Sequence, residues 1–154
     1  YRSRGGRPDL SFHFRTGDLL TGLTSMTDAI TAAAETPMGI LIADPARSSA
    51  LKRLNLFLRW MVRQDSIDPG GWSHPSPADL LFPLDTHVLR LCQALGITRR
   101  RTAGLATARE VTAWFARLSP DDPVRFDFSF SRLGIHPEGR RLWHSLVEAA
   151  YPAL

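Results

Sequence analysis

The sequence predicts an all-α domain, and three observations predict it. Successive segments place apolar residues at helical spacing. None of them alternates apolar and polar residues long enough to read as a strand. Capping and breaking residues fall at the expected segment ends. The 154 residues, 44% hydrophobic and 22% charged, have the composition of an ordinary globular domain of one core.

The elements follow in order. Residues 1–17 are basic and Gly-rich and are expected to form a flexible lead-in with Phe12 and Phe14 as short anchors. Residues 18–154 are expected to form a single helical domain. Asp18 to Ala34 carries Leu19, Leu20, Leu23, Met26 and Ile30 on one face. Ala50 to Gln64 is the clearest helix, with Ser48 and Ser49 as N-cap candidates and Leu51, Leu54, Leu58, Met61 and Val62 inward. Its arginines, Arg53, Arg59 and Arg63, are expected outside. Asp65 to Pro77 reads as a Gly/Pro loop. Asp85 caps a helix to Leu95, closed by Gly96. Ala106 to Leu118, Pro123 to Leu133 and Pro137 to Ala150 complete the array.

Composition also excludes. The one cysteine, Cys92, rules out an internal disulfide and a four-cysteine iron–sulfur or zinc site. The histidines lack ligand spacing, so neither a metal nor a cofactor is expected. No apolar run reaches the ~20 residues of a membrane span, and the basic start has no apolar core of a secretion signal. A cytoplasmic, nucleoid-associated protein with no membrane partner is the expectation. A net charge of +4 and a pI near 10.2 favour a polyanionic partner, most simply nucleic acid.

Lys52 is the single lysine among 19 basic residues. Arginine cannot form a Schiff base, whereas a desolvated lysine can. Lys52 sits in a first helical turn, where the macrodipole disfavours the ammonium. An exposed, snorkelling lysine is the alternative. Asp85 follows Pro83-Leu84 at a helix start, where backbone N–H groups would hold its carboxylate ionised. A plain capping aspartate is the alternative there.

Pro83-Leu84-Asp85-Thr86-His87-Val88 resembles the proline–X–aspartate–X–histidine segment of helix-hairpin-helix (HhH-GPD) DNA glycosylases of the 8-oxoguanine type. Together with Leu51 to Arg63 and Asp121 to Phe128, it resembles a bacterial family related to them. The Lys52–Asp85 separation of 33 positions is similar to that of the archaeal 8-oxoguanine branch. The resemblance covers roughly residues 12 to 136. It implies a compact multi-helix fold and a DNA glycosylase/AP lyase acting on duplex DNA with a damaged base, 8-oxoguanine first among them, or an abasic site. Lys52 and Asp85 would be catalytic. Arg47, Ser48 and Ser49 would contact a DNA phosphate; His87 and the basic turn Arg99, Arg100 and Arg101 are further DNA-contact candidates, with a half-buried helix-start histidine and a solvated charge turn as the alternatives. Asp127 and Phe128 would lie on a helix that lines the base pocket, with a core position as the alternative for Phe128, and Trp72, in the Gly/Pro loop, is a further base-stacking candidate with a place at the core edge as its alternative. The turn Ala46-Arg47-Ser48-Ser49-Ala50 lacks the family's glycines. Relatives carry further N-terminal helices, so a missing N-terminal segment or a partner chain is expected to complete the fold. The alternative functions are a catalytically inactive DNA-binding helical module and a fragment that folds with a partner.

Overall fold

The computed structural model describes residues 9–34, 44–45 and 49–150, and among them every regular element is helical. The helices are α1 (Leu19–Ala33), α2 (Lys52–Val62), α3 (Thr86–Ala94), α4 (Leu105–Ala116), α5 (Asp127–Ile135) and α6 (Pro137–Ala150). Short 3-10 segments stand at Ser11–Phe14, Pro77–Asp79 and Pro123–Phe126. Extended pairing among the described residues is limited to two isolated bridges, Ser49 with Gly104 and Gln64 with Pro69. The chain is therefore all-α. No described helix is long and apolar enough to cross a membrane.

Local chemistry accounts for the helix starts. Asp18 caps α1 by accepting from the Thr21 N–H at 3.0 Å. Asp85 caps α3 by accepting from the Val88 N–H at 2.8 Å. Gly96, in the left-handed region at φ 69°, follows the end of α3. The start of α2 departs from expectation. Ser48 lies outside the described residues and Ser49 pairs with Gly104 instead of capping. The residue before the helix is Leu51, at φ 50° and ψ 35°, with no side-chain cap. The expected helix from Pro123 divides into a 3-10 turn and α5. Leu95 and Leu118, the last residues of their expected helices, stand just past the ends of α3 and α4 and are exposed.

Two apolar clusters form the interior. One joins Phe14, Leu23 and Met26 to Leu51 and to Leu54, Leu58 and Val62 of α2, with Trp72, Leu80 and Val124. The other joins Phe82, Leu84, Val88, Leu89 and Cys92 to Ala108, Val111 and Phe115. Phe115 stacks on Phe82 at 4.7 Å between ring centroids. The described part of the expected lead-in is thus a docked turn, since Phe14 is buried. Residues 1–8 lie outside the described residues. Gly22 makes the docking possible: a Cβ there would stand 2.4 Å from Phe14 Cδ1. Gly22→Ala should therefore destabilise by about 1–3 kcal/mol through displacement of the ring. A lowered urea midpoint with an unchanged slope is the expected reading.

Candidate active site

The first turn of α2 and the cap of α3 meet. Lys52 Nζ donates to Asp85 Oδ2 at 2.7 Å, across 33 positions of sequence. The Asp85 carboxylate has two jobs, because its other oxygen, Oδ1, caps α3. Burial works against its ionisation. The hydrogen bonds from Lys52 and from the Val88 N–H outweigh that and hold the carboxyl below its usual range. The side chains of Lys52 and Asp85 are 44% and 25% exposed, so the pair is open to a ligand from solvent.

Below Lys52, α2 and the residue that ends it carry an inward polar stripe of Asn55, Arg59 and Arg63. The two arginines, expected outside, are 2% and 8% exposed. Each is buried because aspartates from distant segments meet it. Arg59 donates to Asp68 at 3.0 Å and to Asp127 at 2.7 Å. Arg63 donates to Asp122 at 2.8 Å, to Asp65 at 2.8 Å and to Asp68. Asp65 also accepts from the backbone N–H groups of Asp68 and Ile67, which lower its carboxyl to about 2. Buried charges need this kind of pairing to persist. The network ties α2 to the loop after it and to the start of α5. Asn55, Asp68 and Asp122 did not figure among the sequence candidates. The available signal was the spacing of Lys52, Asn55, Arg59 and Arg63 along one helix face.

Two base-pocket candidates fall to this geometry. Trp72 is buried in the first cluster, with Phe57 edge-on at 5.6 Å and Phe14 at 6.3 Å, so its rings are already covered. Asp127 is 3% exposed, with one oxygen on Arg59 and the other 3.4 Å from Ser131 Oγ. It is a structural partner of Arg59, with no edge to offer a base. Burial pushes its carboxyl up against the pull of Arg59 and, more weakly, of Lys52. Phe128 is partly exposed and lines a largely apolar cavity of about 410 Å³ with Ser131, Arg132, His136 and Pro137.

The remaining candidates divide by position. Arg47 and Ser48 lie outside the described residues. Ser49 is exposed and bridged to Gly104, which caps α4 just after the basic turn. His87, on the first turn of α3 two residues past Asp85, is exposed. Arg99, Arg100 and Arg101 are also exposed, and Arg100 pairs with Glu110 at 2.6 Å. Cys92 is buried, and burial pushes its thiol up to about 12, which disqualifies it as a nucleophile at neutral pH. Among the described residues no group of three or more His, Cys, Asp or Glu could hold a metal ion.

A family model described as a protein of unknown function, DUF2400, matches residues 10–136. The chain belongs to the DUF2400 family. The DUF2400 match takes in Lys52, Asp85 and the whole arginine–aspartate network, and ends before α6. No curated protein and no solved structure matches the chain.

Proposed function

We propose that the chain is a DNA glycosylase/AP lyase that excises a damaged base through a Schiff base on Lys52. The observation that carries this reading is the 2.7 Å Lys52–Asp85 pair, solvent-accessible at two adjoining helix starts. A target nucleotide would be flipped from the duplex to reach it. The Lys52 amine attacks C1′ of the sugar, the C1′–N bond breaks, and the base leaves with its bonding electrons and takes up a proton. Asp85 accepts the amine proton and faces the positive charge that develops at C1′. The nitrogen lone pair then expels the ring oxygen: the C1′–O4′ bond breaks, O4′ takes up a proton, and the resulting protonated imine acidifies the C2′ hydrogen, whose loss expels the 3′ phosphate and nicks the strand. The resemblance to HhH-GPD glycosylases supports the same assignment, with 8-oxoguanine as the first lesion to try.

The test is borohydride trapping, in which hydride reduces the imine to a stable amine. Wild-type protein with duplex containing an abasic site or 8-oxoguanine should give a covalent protein–DNA band. Duplex binding without any such band would overturn the reading in favour of a non-catalytic DNA-binding module. The basic turn supplies a second prediction. If Arg99 and Arg101 lie on phosphates, replacing both with Gln should weaken binding equally across sequences. The slope of log K against log salt should become shallower by about one for each arginine replaced.

A further inference from the structure

Lys52 leaves the chain at an unusual corner. Leu51 is the only non-glycine residue at positive φ among the described residues, and a γ-branched side chain has no local compensation there. Such a conformation persists only where neighbouring groups over-determine it. Here the group is Asn55. Its carboxamide N–H donates to the Ala50 carbonyl at 2.9 Å, while its backbone N–H donates to the Leu51 carbonyl at 3.0 Å. One residue thus grips the peptides on both sides of Leu51. Asn55 is 1% exposed, and its Oδ1 finds no partner among the described residues. An unmet buried acceptor costs stability, and an apolar residue would fill the position without it. What an apolar residue could not supply is the donor to Ala50.

We infer that Asn55 is a positioning residue for Lys52: it locks the left-handed corner at Leu51 and so holds the amine against Asp85. The inference rests on the Schiff-base reading for its consequence in rate, though not for its geometry. Lys52 is the residue immediately after the corner, so a swing at Leu51 moves the amine away from Asp85. A displacement of about 1 Å at a reacting group costs on the order of 100-fold in rate.

The experiment pairs two variants with two measurements. In Asn55→Ala, trapping at saturating abasic duplex should slow by about 10- to 100-fold with the duplex Kd little changed. In DNA-free protein, the Asp85 carboxyl, followed by NMR, should titrate at higher pH, because the Lys52 hydrogen bond that lowers it has loosened. Leu51→Gly is then added to Asn55→Ala. Glycine adopts the corner without strain yet leaves it unlocked, and it also removes the buried Leu51 side chain from the first cluster. The double variant should therefore melt below wild type and, assayed while folded, still trap slowly. Recovery of wild-type trapping in the folded double variant would mean that Asn55 only offsets strain, and would overturn the inference. An unshifted Asp85 titration in either variant would overturn it too. If wild-type protein forms no adduct at all, the chemical reading fails by itself, and the Asp85 titration still decides the role of Asn55.

Discussion

Lys52→Gln should abolish the borohydride-trapped adduct, a loss of about 10³-fold or more, as for removal of a covalent nucleophile. Folding should be almost untouched. The Lys52 side chain is 44% exposed, and a pair this open contributes about 0–1 kcal/mol. Asp85 keeps its bond from the Val88 N–H, so the cap of α3 survives the substitution. Lys52→Arg sharpens the test. It preserves the charge and the pairing with Asp85, but a guanidinium cannot form an imine. If Lys52→Arg binds duplex like wild type and gives no adduct, the amine itself is the reactive group. If either variant still traps, the nucleophile lies elsewhere and the reading of Lys52 fails.

Much of the fold was legible because it is local. The cap at Asp85 engages a backbone N–H three residues on, and the apolar stripes of α1, α3 and α4 follow from helical spacing. The Lys52–Asp85 meeting is not local, and only the family resemblance pointed to it. Periodicity placed Arg59 and Arg63 outside because a cation on a helix belongs in water unless acids come to it. Those acids stand 9 and 68 positions from Arg59, and nothing near α2 announces them. Trp72, a base-stacking candidate with the core edge as its alternative, lies in the core for a related reason. Its loop doubles back on α2, with the Gly70 N–H on the Trp60 carbonyl and the Trp72 N–H on the Met61 carbonyl. That return drives the indole into the core. The corner at Leu51 was invisible because a leucine, where a glycine would be expected, carries no mark of a positive φ.

The buried network leads to the largest expected loss of stability. Arg59→Met keeps a long side chain in place and removes the cation shared by Asp68 and Asp127. Asp68 retains Arg63, whereas Asp127 is left with Ser131 at 3.4 Å. Removing one partner of a buried pair costs about 3–5 kcal/mol, mostly because a charge is left without compensation. That origin fixes a pH dependence. Burial already raises the Asp127 carboxyl, and without Arg59 nothing comparable opposes it, so its folded pKa climbs further above the unfolded value of about 3.9. A group raised in this way favours the folded state most below its unfolded pKa and loses that contribution as pH rises through its folded one. The deficit of Arg59→Met should therefore be largest near neutral pH and shrink toward about pH 4, where Asp127 is protonated. Adding Asp127→Asn should recover part of the loss at neutral pH and little of it in acid. Urea midpoints for the two variants across that range separate the causes. A deficit that does not change with pH would place the cost in packing around the guanidinium, with the stranded carboxylate contributing nothing.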